Sequence, residues 1–124
     1  MNDKSPGHLD LTTIKFPVTA IASITHRITG VAVFVALPVL LWMMDRSMAS
    51  PESFSDLKQL MNSPLSKLVL WAILSALLYH FVAGIRHLVM DMGVGETREC
   101  GRRGGFATVI ATAVLILLAG CWIW

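Results

Sequence analysis

Residues 106–124 read FATVIATAVLILLAGCWIW and contain no charged side chain. A helix needs about 20 apolar residues to cross a hydrocarbon core about 30 Å thick, so this stretch fits one membrane span. Two more apolar blocks precede it, at residues 28–44 and 65–89. The first of these has no charge, and the second holds Lys67, His80, Arg86 and His87. The sequence therefore predicts an all-α integral membrane protein with three transmembrane helices.

The composition excludes several other classes of protein. The 124 residues are 55% hydrophobic and 15% charged, with a mean hydropathy of +0.66, whereas soluble domains are about 25% charged. A soluble helical bundle needs polar outer faces, and the last block has none. Intrinsic disorder requires low hydrophobicity, and two cysteines do not make a disulfide scaffold. The net charge of +2 gives no support for a nucleic-acid partner.

The chain divides into a tail and one membrane domain. Charged residues interrupt residues 1–20 throughout, so they do not resemble a signal peptide, and we expect a cytoplasmic N-terminal tail. Residues 21–124 form the three-helix domain, with spans predicted at about 21–44, 65–90 and 105–124.

The two loops differ in character. Residues 52–61 are predicted to form a short amphipathic helix, with Ser50 or Ser53 as its cap. Residues 93–105 contain five glycines and are predicted to form a turn.

The distribution of Lys and Arg predicts the orientation. The first loop has three such residues diluted by acidic ones, the C-terminus has none, and the other flanks are rich in them. Positively charged flanks remain in the cytoplasm, so the N-terminus and second loop are expected there and the C-terminus in the periplasm. Three tryptophans suit an aromatic belt on the periplasmic side: Trp42, Trp122 and Trp124.

One polar cluster lies at the start of the first span. Ser23, His26, Arg27 and Gly30 share one helix face. A hydroxyl, an imidazole and a guanidinium at the membrane boundary can hydrogen-bond a carbonyl and neutralise a carboxylate or phosphate. The alternative is that His26 and Arg27 extend to lipid headgroups.

A second cluster lies in the middle span, where His80, Gly84, His87 and Asp91 share one face. His80 is about 16 Å deeper than Asp91, where a neutral imidazole needs a partner. Haem iron is one such partner, and Gly84 would admit a flat macrocycle or another helix. The alternative is a hydrogen bond to a Ser or Thr of a neighbouring helix. Antiparallel packing favours haem, because its propionates would then lie near the first cluster.

Two stretches resemble the signatures of a known family. Residues 15–30, KFPVTAIASITHRITG, and residues 79–91, YHFVAGIRHLVMD, are similar to those of cytochrome b556 anchor subunits of bacterial succinate dehydrogenase (complex II). The similarity covers nearly the whole chain. In the tail, SPGHL at residues 5–9 departs from the family's usual SPHL, so His8 is given no function.

The resemblance implies a role for each matching residue. His80 matches the axial ligand of the haem b iron, and a second hydrophobic anchor subunit supplies the other ligand. Ser23 and Arg27 match ubiquinone-site residues. His26, Arg27 and His87 match positions that support the haem or its propionates, and Asp91 matches the family motif.

The resemblance also implies the setting. The chain would belong to a larger heteromeric transmembrane bundle in the bacterial inner membrane, beside an iron-sulfur subunit and a flavoprotein subunit. Those subunits would hold the Fe–S clusters and FAD. Electrons from succinate oxidation would pass to ubiquinone, and this chain would be an anchor and electron-transfer subunit with no catalysis of its own.

Three other functions compete with this interpretation. The first is a haemless anchor, in which His80 bonds to a neighbouring helix. The second is a fumarate-reductase-type anchor, because sequence does not fix the direction of the reaction. The third is a small transporter subunit with a polar path along Arg27, His80 and His87. Such a path requires broken helices or polar faces along the spans, and the third span has only Thr108 and Thr112 as polar residues.

Overall fold

The computed structural model describes residues 17–124. Most of the predicted tail, including His8, therefore lies outside the described residues. The helices are α1 (Val18–Ala49), α2 (Pro51–Met61), α3 (Pro64–Asp91) and α4 (Arg98–Ile123). By length and composition, α1, α3 and α4 are each able to cross a membrane. The predicted all-α fold with three candidate spans is confirmed.

Serine caps define where the two central helices begin. The Ser50 hydroxyl accepts a hydrogen bond of 3.0 Å from the backbone N–H of Ser53, with Pro51 at the first position of α2. The Ser63 hydroxyl accepts one of 3.2 Å from Ser66 and starts α3 in the same way. Such caps contribute about 1 kcal/mol each. The predicted short helix is confirmed, and Ser50 is its cap.

Helix α4 begins at Arg98, inside the glycine-rich segment that the sequence predicts as a turn. The Thr97 hydroxyl accepts a hydrogen bond of 3.3 Å from the N–H of Cys100 and so caps the helix. The turn is confined to the residues before it, where Gly93 and Gly95 have φ of 83° and 79°. The predicted turn was too long because a polar first helical turn carries no apolar pattern.

Helix α3 packs against both other long helices. Near its end, Arg86 Nη2 donates a hydrogen bond of 3.0 Å to the carbonyl of Gly101 in α4. Near its start, Trp71 Nε1 donates one of 2.9 Å to the carbonyl of Ile116. These bonds fix an antiparallel register. We call the end of the bundle that contains the first residues of α1 and α4 the near side, and we call the opposite end the far side.

The helix interfaces consist of small residues. Ala22, Ala83 and Thr112 are each no more than 4% exposed. At the near side, a Cβ on Gly105 would lie 3.1 Å from Val18 of α1. Small residues let helices approach closely in a bilayer. Large apolar side chains point outward instead, as shown by Phe34, which is 75% exposed.

The far side is anchored through tryptophans. The Nζ of Lys67 lies 5.7 Å from the centre of a Trp124 ring, a distance at which an ammonium and an aromatic face attract. Trp71 packs against Gly120, where an added Cβ would lie 3.1 Å from its Nε1.

We expect Gly120→Leu to destabilise the protein by about 1–3 kcal/mol, the usual cost of overpacking. The new side chain displaces the Trp71 indole and breaks its hydrogen bond to Ile116. The apparent melting temperature of the detergent-solubilised protein measures the loss. Ala113→Leu is the matched control on α4, because Ala113 is exposed. Equal melting temperatures for the two variants would contradict the predicted packing.

Candidate functional site

Three histidines meet between α1 and α3. The rings of His26 and His80 are stacked, with centroids 4.2 Å apart and planes 7° apart. His87 meets His26 edge to face, with centroids 4.9 Å apart and planes 86° apart. All three are partly buried. The structure therefore brings the histidines of both polar clusters together, in the antiparallel alignment that the sequence predicts.

A glycine on each helix makes room for a histidine of the other. A Cβ on Gly30 of α1 would lie 3.0 Å from Cε1 of His80. A Cβ on Gly84 of α3 would lie 3.4 Å from Nε2 of His26. Glycine allows this close approach because it has no side chain. At Gly84 the approaching group is the His26 ring of the neighbouring helix α1.

The hydrogen bonds of His80 define which of its two ring nitrogens is available to bind a metal ion. Its Nδ1 lies 3.1 Å from the carbonyl oxygen of His26 and 3.4 Å from the Thr29 hydroxyl. A carbonyl only accepts, so Nδ1 carries the proton in the shorter contact. Within residues 17–124, Nε2 of His80 makes no hydrogen bond. Metal-ligating histidines have this arrangement, in which one nitrogen donates to a carbonyl and the other binds the metal.

The contact between Thr29 and His80 corresponds to the alternative prediction, in which His80 forms a hydrogen bond to a Ser or Thr of a neighbouring helix. That contact and iron ligation use different nitrogens of the same ring. They are therefore compatible, and the hydrogen bonds to α1 orient His80 in either case.

Two contributors to the site, Thr29 and Tyr79, were not singled out from the sequence. The Thr29 hydroxyl lies 2.9 Å from the His26 carbonyl and 3.4 Å from His80 Nδ1. It follows His26 by three residues, so helical spacing alone could have identified it. The Tyr79 hydroxyl donates a hydrogen bond of 3.1 Å to the carbonyl of Ala22. That contact depends on the register of two helices, which the sequence does not give.

One buried histidine nitrogen in the cluster has no hydrogen-bond partner among the described residues. Nε2 of His26 is buried and makes no hydrogen bond within the described range. Leaving a buried polar atom unpaired costs about 1–3 kcal/mol. Of the features in this cluster, the His80 imidazole fits a haem-iron ligand, because a carbonyl holds its Nδ1 and its Nε2 has no hydrogen bond among the described residues.

The residues of the first cluster divide between two environments. His26 and Gly30 face α3. Ser23 is partly exposed and Arg27 exposed on the outer part of α1, and Asp91 is exposed at the end of α3. Neither Arg27 nor Asp91 forms an ion pair with another residue of the described range. Ser23 and Arg27 are therefore open to a ligand or a partner chain, beside the histidine cluster.

Three apolar helices with ionisable groups between two of them define a helical membrane protein with an intramembrane polar site. Residues 1–119 match the family described as succinate dehydrogenase/fumarate reductase transmembrane subunit. The chain belongs to this family.

Individual relatives agree with the family match. The chain is 45% identical to the succinate dehydrogenase cytochrome b556 subunit of Coxiella burnetii over 125 aligned residues, which cover all of both chains. It is 33% identical to the protein of that name from Paracoccus denitrificans over 104 residues, 84% of this chain and 80% of the other. The family expected from residues 15–30 and 79–91 is thus confirmed.

Proposed function

We propose that the chain is a membrane-anchor subunit of succinate:ubiquinone oxidoreductase that helps bind haem b and forms part of the ubiquinone site. The observation that carries this proposal is the orientation of His80, whose Nδ1 lies 3.1 Å from the His26 carbonyl. Membership of the family and the names of its relatives support the same function.

His80 would hold the haem iron through Nε2, and a second hydrophobic anchor subunit would supply another iron ligand. Haem b supplies a one-electron carrier within the bilayer. The His26 carbonyl and the Thr29 hydroxyl hold the His80 ring in position. His26, Arg27 and His87 would support the haem propionates at the same end of the site.

Ser23 and Arg27 would form this chain's share of the ubiquinone site. The Ser23 hydroxyl would donate a hydrogen bond to a quinone carbonyl oxygen. The Arg27 guanidinium would stabilise the negative charge that develops on an oxygen during reduction. A guanidinium does not act as a proton donor in proteins, so the protons would come from water or from partner chains. The exposure of Arg27 near the start of α1 supports access from both lipid and water.

The remaining parts of the enzyme would lie in other chains. The flavoprotein subunit would hold FAD, the iron-sulfur subunit would hold the Fe–S clusters, and the second anchor would complete the transmembrane bundle. The N-terminus would face the cytoplasm and the C-terminus the periplasm, across the bacterial inner membrane. In support of this orientation, the arginine-rich start of α4 lies at the same end of the bundle as the start of α1, where Gly101 contacts Thr19.

Purification through a tag on this chain tests the proposal. We expect succinate oxidation with a soluble electron acceptor to co-purify from the membrane fraction. We also expect the dithionite-reduced minus oxidised spectrum to contain a b-type α band. Activity without a band would support the haemless anchor, and a preparation without succinate oxidation would contradict the proposed assembly.

A further inference from the structure

A polar pocket lies on the far side of the bundle, away from the histidine cluster. It has a volume of about 260 Å³ and is formed by the end of α1 and by α2. Its lining consists of Trp42, Arg46, Ser53, Asp56, Leu57 and Leu60. The pocket therefore combines one cation, one anion, a hydroxyl and an apolar wall.

The two charges in this pocket do not neutralise each other. Arg46 and Asp56 line the same space, but no N···O distance within 4.0 Å joins them among residues 17–124. The Ser53 hydroxyl oxygen also has no hydrogen-bond partner in that range. A ligand with separated positive and negative groups would satisfy both charges at once.

The pocket lies at the depth of the lipid headgroups. Helix α1 has 32 residues and is therefore about 48 Å long, which exceeds the hydrocarbon thickness of about 30 Å. Its last turns, which include Arg46, extend beyond the hydrocarbon. Trp42 lies one turn earlier, where an indole marks the interface.

An apolar groove lies on the hydrocarbon side of Arg46. It has a volume of about 210 Å³ and lies between α1 and α3. Met61, which follows Leu60 of the polar pocket in the sequence, lines it together with Val39 and Val69. Val39 precedes Arg46 by about 10 Å along α1. The linings of the polar pocket and the groove use consecutive residues at two places, Trp42 with Met43 and Leu60 with Met61. Together they offer a surface with a charged part and an apolar part.

We propose that this surface binds one phospholipid of the far leaflet with a zwitterionic, primary-amine headgroup. The phosphate binds the Arg46 guanidinium, whose planar donors match phosphate oxygens. The ammonium binds the Asp56 carboxylate, and one acyl chain lies in the groove. An anionic lipid without an amine satisfies Arg46 and leaves Asp56 unpaired, so the pocket selects the zwitterion.

Native mass spectrometry of the assembled complex tests this selection. The complex is exchanged into detergent with phosphatidylethanolamine or with phosphatidylglycerol. We expect Arg46→Gln to reduce retention of both lipids, and Asp56→Asn to reduce retention of phosphatidylethanolamine alone. Each loss should be about tenfold, as for the loss of one charge-assisted hydrogen bond.

Two control variants keep the measurement specific. Lys58→Gln removes a positive charge from α2, and Asp45→Asn removes a negative charge from α1; neither residue lines the pocket. Both should retain phosphatidylethanolamine as the unmodified complex does. Equal retention of the two lipids, unchanged by Asp56→Asn, would overturn the proposal.

A photoreactive benzoylphenylalanine at position 60 identifies the occupant directly. We expect an adduct with the mass of a phospholipid on the peptide that contains this position. An adduct with a peptide of another subunit would overturn the proposal, because the pocket would then be a protein interface. Neither result depends on haem or quinone, so failure here would leave the proposed function of the chain standing.

Discussion

The His80→Ala complex is expected to lose or shift the b-type α band while its succinate oxidation with a soluble acceptor persists. His80 is the imidazole in the bilayer whose Nδ1 is held by a backbone carbonyl, at 3.1 Å, with no described partner on Nε2. Alanine removes the proposed iron ligand and leaves the soluble subunits untouched. The dithionite-reduced minus oxidised spectrum, scaled to succinate oxidation, measures the effect per assembled complex.

Two further variants separate ligation from packing. His87→Ala should retain most of the band, because His87 is proposed to support the haem and not to ligate its iron, and its ring meets that of His26 edge to face. Gly30→Ala should shift or weaken the band, because the added Cβ would lie 3.0 Å from His80 Cε1 and displace the ring. A His80→Ala complex with unchanged haem content and spectrum would exclude His80 as the ligand.

The membrane fold could be predicted from the sequence because apolar run length is a strong signal. The uncharged stretch at residues 106–124 and the Ser50-Pro51 cap both led to helices that the structure contains. The start of α4 at Arg98 was not predicted. Its first turn is polar, and its cap depends on the single hydroxyl of Thr97.

The site could be predicted only in part. Helical spacing placed His80 and Gly84 on one face, and His26 and Gly30 on another. In the structure, His80 packs against Gly30 and His26 packs against Gly84. These two contacts depend on the relative height of α1 and α3. That height is set by contacts along the whole interface, such as the bond from Tyr79 to α1, which no local pattern encodes.

The packing of α1 against α3 also explains why the residues of the first cluster lie in two different environments. Four positions on one face span a wide arc, and α3 covers only the part with His26 and Gly30. Ser23 and Arg27 remain at the edge of that contact. One short segment of α1 can therefore serve a site between the helices and a second site on the outer surface.

Arg27→Leu should reduce ubiquinone reduction by about 100-fold, the lower end of the effect of removing one donor that stabilises developing negative charge. Ser23→Ala should have a smaller effect of about fivefold, because one neutral hydrogen bond contributes roughly 1 kcal/mol. Succinate oxidation with a soluble acceptor should remain unchanged in both variants. The ratio of the two activities in the purified complex is therefore the measurement.

A control arginine tests whether the effect is specific to position 27. Arg103 is also exposed near the start of its helix, but its guanidinium is paired with Glu99 at 2.7 Å. Arg103→Leu should leave the ratio of quinone reduction to succinate oxidation unchanged. If Arg27→Leu lowered both activities equally, the residue would serve assembly and not the quinone site. That outcome would leave the interhelical role of His80 intact, because Arg27 makes no contact on which the orientation of His80 depends.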